Sequence, residues 1–288
     1  MTEWISWLIE PLQFAFMARA LLVTVVAALT CAILSVWLVQ IGWALMGDAV
    51  SHAVLPGVAI SYILGWPFAV GAFIFGAGAV ALIGGVRATT RIKSDAAIGV
   101  VFTALFALGL VIISKTPSQT DLGHILFGNV LGVSDADIWQ VLGSGAIAVS
   151  LLLLKRRDLT LYAFDRAHAD AIGINTRWLS MLLLGLLALT VVVALQAVGI
   201  LLVVAMLITP GVTAYLLTKR FDRMLWLSMA ITVVCAVAGL YLSYYLDASA
   251  GGAVVLTQSA AFLLAYLFGP RGGVVVNWIR SRREVVAA

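Results

Sequence analysis

The sequence predicts an all-α polytopic membrane helix bundle of eight to ten transmembrane helices. The chain of 288 residues is 63% hydrophobic and only 10% charged, with a mean hydropathy of +1.12. Soluble domains carry about 25% charged residues, so no soluble fold of this size covers so much apolar surface. The apolar runs reach the roughly 20 residues a helix needs to cross hydrocarbon. They are continuous rather than alternating, which selects helices over a β-barrel. With no large hydrophilic block, residues 1–270 are expected to form a single transmembrane domain, 155–177 a polar connection and 271–288 a basic tail.

The apolar runs lie near 15–38, 43–64, 67–86, 96–114, 137–154, 178–196, 198–218, 224–246 and 253–269. The first eighteen residues hold Glu3 and Glu10 but no Lys or Arg, unlike a cleavable leader with its basic start. Of the 17 Lys and Arg residues, 15 fall in four clusters. These are Arg87, Arg91 and Lys93; Lys155, Arg156, Arg157, Arg166 and Arg177; Lys219, Arg220 and Arg223; and Arg271, Arg280, Arg282 and Arg283. Only Arg19 and Lys115 stand apart. Such bunching is the positive-inside pattern, so all four clusters and the C-terminus are expected in the cytoplasm and the N-terminus outside. The clusters flank spans and lack interleaved aromatics, which argues against nucleic acid as a partner and for membrane lipid. Cys31 and Cys235 lie far apart within apolar runs, without the paired spacing of a metal or redox motif.

The second run holds the chemistry. Asp48 and His52 are four residues apart in Gly47-Asp48-Ala49-Val50-Ser51-His52-Ala53-Val54-Leu55-Pro56-Gly57, so on a helix they share one face. A carboxylate at the centre of a membrane helix costs about 2.5–3.5 kcal/mol on insertion scales, which favours a use for the pair. Together they offer oxygen and nitrogen ligands of the kind that hold divalent transition metals. A structural role, as a helix cap or a packed histidine, is the plain alternative. Pro56-Gly57 and Pro210-Gly211 are expected helix breaks. A proline removes the hydrogen bond to the carbonyl four residues back, which for Pro56 belongs to His52. Freed carbonyls at broken helices hold cations in transporters; a simple kink is the other reading, and for Pro210 a plain kink or half-helix is preferred.

Asp121 and His124, three apart, are candidate cation guides at the outer mouth, or loop residues. Asp135 and Asp137 read as outer loop residues. Ser61 and Gly65, Gly128 and Gly132, and the run Gly71 to Gly78 have the spacing of close helix packing. In the 155–177 connection, Phe164 to Gly173 predicts a short helix, capped by Asp165 and ended by Gly173. Such a helix suits docking onto a partner, or serves as a solvated linker. The chain has no Gly-Lys dipeptide, hence no phosphate-binding P-loop, and no Gly-x-Ser-x-Gly elbow. ATP-driven work requires a second polypeptide.

The run Leu45 to Gly57 closely resembles the signature of the metal-type ABC permeases, the membrane subunits of manganese, zinc and iron(II) importers. Asp121-Leu122-Gly123-His124-Ile125-Leu126-Phe127-Gly128-Asn129 resembles a second family block, Phe164 to Gly173 the coupling helix, and Ile208-Thr209-Pro210-Gly211 also fits. The likeness covers about residues 15 to 270 in the family's order of blocks. Members often carry a basic residue in the turn before the first motif, and Gln40-Ile41-Gly42-Trp43 has none. The resemblance implies a dimeric permease related to the vitamin B12 importers (type II). It implies as partners a second permease copy, two cytoplasmic ATPase subunits and an extracytoplasmic metal-binding protein. It carries the pathway ligands onto Asp48 and His52, and the coupling role onto Phe164, Asp165, Arg166, His168, Asp170 and Gly173. The implied function is import of Mn²⁺, or of Fe²⁺ or Zn²⁺, across a bacterial inner membrane. No covalently bound cofactor or catalytic residue is expected, and ATP is used by the partner. A proton- or sodium-driven carrier, a permease for an organic ligand and a passive channel are the competing classes. A channel lacks support because no filter motif or charge ring stands out.

Overall fold

The computed structural model describes residues 10–115, 132–270 and 273–276. A short 3-10 turn, Glu10–Gln13, precedes the helices. These are α1 (Ala15–Ile41), α2 (Ala44–Ala53), α3 (Leu55–Leu64), α4 (Phe68–Thr89), α5 (Ser94–Lys115) and α6 (Asp135–Leu154). After them come α7 (Arg156–Phe164), α8 (Arg166–Ala171), α9 (Thr176–Val198), α10 (Ile200–Leu217), α11 (Phe221–Leu246) and α12 (Ala250–Phe268). There is no strand among the described residues. Nine spans there are long and apolar enough to cross a bilayer, with α2 and α3 together making one of them. They coincide with the nine apolar runs of the sequence, because continuous hydrophobicity over this length has no other stable arrangement in lipid.

The bundle has an inside and an outside. The spans α1, α2–α3 and α9 are mostly buried by their neighbours, whereas α4, α5, α6 and α12 leave most of their surface free in the single chain. Leu34, Trp37, Leu38, Met46, Leu183, Leu187, Leu202 and Leu207 are fully buried at the centre. Small residues permit the closest approaches. Gly57 of α3 lies directly against Gly71 of α4, with Ser61 on the same contact, so that a β-carbon at either glycine would run into the other's backbone oxygen. Gly47 of α2 accommodates Leu207 of α10, and Gly239 of α11 lies on Val254 of α12. Dispersion and close packing drive helix association in lipid, where no hydrophobic force remains.

Three of the basic clusters meet at one end of the bundle. The turn joining α1 to α2 passes through Gly42 (φ +80°), where Trp43 N–H donates to the Leu38 carbonyl at 2.7 Å. The Arg87 guanidinium, at the end of α4, lies over the Trp43 ring at 5.4 Å. Tyr162 of α7 packs on the same indole at 6.4 Å and takes Arg166 over its own face at 5.9 Å. Phe221, at the start of α11, joins Trp37 at 5.2 Å and Phe164 at 6.1 Å. The uncharged turn at Gln40–Trp43 thus receives from α4 the cation it lacks in sequence. At the opposite end, Arg19 pairs with Asp135 at 3.1 Å, joining the starts of α1 and α6.

The 155–177 connection differs from expectation in having two helices rather than one. α7 follows α6 after Lys155 and buries Leu159 and Tyr162; its polar composition, Arg156, Arg157 and Asp158, hides this two-residue apolar anchor. α8 matches the expected helix. The Asp165 side chain caps it by accepting the His168 backbone N–H at 2.9 Å, and Gly173 (φ +86°) turns the chain beyond it. Thr176 Oγ1 donates to Asp170 at 2.5 Å, tying α8 to the start of α9. α7 is also joined to α11 by an Arg156–Asp222 ion pair.

The α3–α4 contact yields a stability test. Gly57→Ala and Gly71→Ala each force a methyl into a neighbouring backbone, and overpacking of this kind costs about 1–3 kcal/mol. Gly78→Ala, which meets open space, removes a helix glycine and gains up to about 1 kcal/mol. Thermal unfolding in detergent is expected to show the first two below the parent and the third at or above it.

Candidate metal site

α2 is placed by its small residues: Gly47 faces Leu207 of α10, and Val50 and Val54 lie against Gly76 of α4. Ser51 turns its hydroxyl back to the Gly47 carbonyl at 2.7 Å and is buried on the packed side. Asp48 and His52 emerge on another face. His52 Nε2 lies 3.4 Å from Asp48 Oδ1, with side chains 27% and 35% exposed respectively. At that separation the two are in contact without a well-formed hydrogen bond, and both remain partly accessible in the single chain. With a rise of 1.5 Å per residue, Asp48 lies about 6 Å and His52 about 12 Å along the span from its start at Ala44. The pair therefore lies toward the basic end and the middle of the span; Asp48 itself is not at the centre of the helix.

Beyond His52 the helix changes. α2 ends at Ala53 and α3 begins at Leu55, with Pro56 in the first turn of the new helix. Pro56 has no N–H to offer the His52 carbonyl. The ladder resumes at once, Val54 N–H reaching Val50 O at 3.2 Å and Val58 N–H reaching Val54 O at 3.1 Å. Gly57, next in sequence, serves the α4 contact described above. At the second Pro-Gly pair there is no break: α10 runs through Pro210 to Leu217. Gly211 N–H donates to Ser35 Oγ of α1 at 3.1 Å, and Ser35 lies where a β-carbon on Gly211 would go. The Ser35 hydroxyl thus binds the backbone beside the proline and ties α10 to α1 there.

The wall around His52 comes from α5, which sequence reasoning did not connect with it. Phe102 and Phe106 flank the imidazole with ring centroids at 5.2 and 5.3 Å, the second edge-on at 88°. One turn further, Gly109 lies against Leu55 and the Pro56 nitrogen. The three residues form one stripe of α5 at helical spacing, a signal present in the sequence that names no partner. His52 Nδ1 is buried and has no hydrogen-bond partner among the described residues.

The other candidates are spread out. Asp121 and His124 lie outside the described residues, as do 277–288 of the basic tail. Asp137 belongs to a capping box with Ser134, and Asp135 to the Arg19 pair. His168 lies on α8, at the far basic end. Phe164 is 57% exposed between two clefts of about 520 and 580 Å³. Lys219 lines one and Arg156 and Arg157 the other. Cys31 and Cys235 are buried free thiols. No cluster of three or more His, Cys, Asp or Glu side chains exists among the described residues; Asp48 and His52 are a contacting pair.

Comparison with known proteins identifies the family and the fold. Residues 13–269 match the family model "ABC 3 transport family". The chain is 51% identical over 276 residues to "Manganese transport system membrane protein MntB" of Synechocystis sp., covering 96% of this chain and 90% of that protein. It is 48% identical over 263 residues to a "Probable iron transport system membrane protein" of Haemophilus influenzae, covering 91% and 97%. Among solved structures it superimposes on "PsaBC from Streptococcus pneumoniae in complex with Fab" with a TM-score of 0.84 at 40% identity, covering 93% of this chain and 97% of that one. The helix bundle is thus of the type II importer permease kind, and the chain belongs to the ABC 3 transport family.

Proposed function

We propose that this chain is the membrane-spanning permease subunit of an ATP-driven importer of divalent transition metal ions, with Mn²⁺ as the principal cargo. The observation that carries the reading is the Asp48–His52 pair, 3.4 Å apart and partly exposed on an inner helix of a metal-transport permease fold. Likeness to a manganese transport protein over nearly the whole chain supports Mn²⁺, and likeness to an iron transport protein supports Fe²⁺ as second cargo. Both ions accept imidazole and carboxylate, and the absence of a Cys or Met ligand beside them disfavours Cu(I). Zn²⁺ binds such ligands more tightly than either, so its exclusion rests on geometry and delivery.

A two-ligand half-site supports a permease dimer, in which a second copy adds another carboxylate and imidazole. The meeting of three basic clusters at one end supports placing that end, the α7–α8 connection and the basic tail in the cytoplasm of a bacterial inner membrane. There Phe164, Asp165, Arg166, His168, Asp170 and Gly173 meet one of two separate ATPase subunits. An extracytoplasmic metal-binding protein delivers the ion at the opposite face, near the Arg19–Asp135 pair. Closure of the ATPases on ATP moves α7–α8. The Arg156–Asp222 pair and the Phe164–Phe221 contact pass that movement to α11.

Asp48→Ala and His52→Ala are expected to lower Mn²⁺ uptake by reconstituted permease and ATPase at least as far as loss of an outer-shell partner does, about 10–100-fold, with assembly intact by gel filtration. Wild-type uptake by both variants would refute the site. In the same vesicles, Mn²⁺ and Fe²⁺ uptake should require ATP and survive an uncoupler; uptake abolished by the uncoupler alone would favour a secondary carrier. Asp165→Ala removes the α8 cap, at a cost of about 1 kcal/mol. It is expected to leave Mn²⁺ binding unchanged while ATP hydrolysis and uptake lose their fixed ratio.

A further inference from the structure

We infer that Phe102 and Phe106 are positioning residues for the cargo ion. They hold the His52 ring by packing alone and deny its second nitrogen a hydrogen-bond acceptor, which keeps the site weak enough to release metal. The inference rests on the metal-ligand reading of Asp48 and His52 given above.

A histidine that ligates a metal almost always donates its other ring N–H to a carboxylate, a backbone carbonyl or water. That outer partner fixes the tautomer, raises ligand basicity and strengthens binding 10–100-fold. His52 departs from this arrangement. Its Nε2 faces Asp48, while Nδ1 is buried without an acceptor among the described residues. The imidazole is flanked by two phenyl rings. Phenyl rings fix the plane of an imidazole, and at most offer a π-face to its N–H, a weak contact. The close approach of Gly109 to Leu55 and Pro56 sets the distance at which these rings meet His52. Among the described residues α5 packs chiefly against α2, α3 and α4, and the phenyl stripe is what it presents to His52.

A storage or catalytic metal site gains from a strong outer shell. A transport site must give its ion up in every cycle, and binding too tight in one state stalls turnover. Packing that orients His52 without strengthening it meets both needs.

The test converts a ring into an acceptor. Phe106→Gln and, separately, Phe102→Gln are compared with Phe106→Leu and Phe102→Leu in the full permease–ATPase complex, using Mn²⁺ alone. Equilibrium dialysis gives affinity and vesicle uptake gives the maximal rate. A glutamine within reach of Nδ1 is expected to tighten Mn²⁺ binding by about tenfold and to lower the maximal uptake rate. The leucine variants, apolar and without an acceptor, should bind no more tightly than wild type. A purely structural role makes Gln and Leu behave alike, and that result, in assembled complexes, overturns the inference. The second ring repeats the test where one variant fails to assemble. Wild type and His52→Ala in the same dialysis separate the two levels: equal binding refutes the metal site itself. His52-dependent binding with unchanged Gln affinities refutes only the role of the rings.

Discussion

Two polar side chains on one face of α2 must be kept from hydrocarbon, and the arrangement of the bundle follows from that requirement. A charged group facing lipid costs several kcal/mol, so the helix bearing Asp48 and His52 has to be an inner one. It becomes so through contacts that only small residues allow. Gly47 admits Leu207 of α10, Gly57 and Gly71 bring α3 onto α4, Gly76 takes Val50 and Val54, and Gly109 brings α5 to the proline step. Two of these contacts are with α4 and one each with α10 and α5, and together they hold α2–α3 inside the bundle while Asp48 and His52 remain partly exposed.

The ends of the bundle are organised by charge and aromatic rings rather than by apolar packing. Trp43 pairs with Tyr162 at the basic end and Phe164 with Phe221, which also packs on Trp37 of α1, and Arg87 and Arg166 lie over the first two rings. Trp and Tyr suit such a position because one side of each ring is apolar and the other tolerates water. These contacts join α7–α8 to α1, α4 and α11, so the polar connection is packed onto the spans rather than hanging free.

Much of this was legible in the sequence. Continuous apolar runs have one physical outcome in lipid, and all nine spans lie where hydropathy puts them. The i,i+4 spacing of Asp48 and His52 was sufficient to place them together, because it depends only on helix geometry. The α8 cap followed likewise from Asp165 and Gly173. What could not be read depends on which helices become neighbours. The phenyl stripe of α5, the Arg87–Trp43 contact and the Ser35–Gly211 hydrogen bond all join residues far apart in the chain. Local pattern identifies each residue's face without naming what lies opposite. α7 escaped notice for a different reason: its charged first turn masks two buried residues, too few to give a periodic signal.

The Ser35–Gly211 hydrogen bond has a mechanical consequence. Away from water, a polar group pulled off its partner is not readily satisfied again. The bond ties α1 to α10 about 9 Å from the basic end of each helix, so the two resist sliding past one another there. Sliding is cheaper where the contacts are glycine against glycine or phenyl against imidazole, since those surfaces carry no directional bond to break. Of the contacts described, the seams of α4 and α5 thus offer the least directional resistance to a shift.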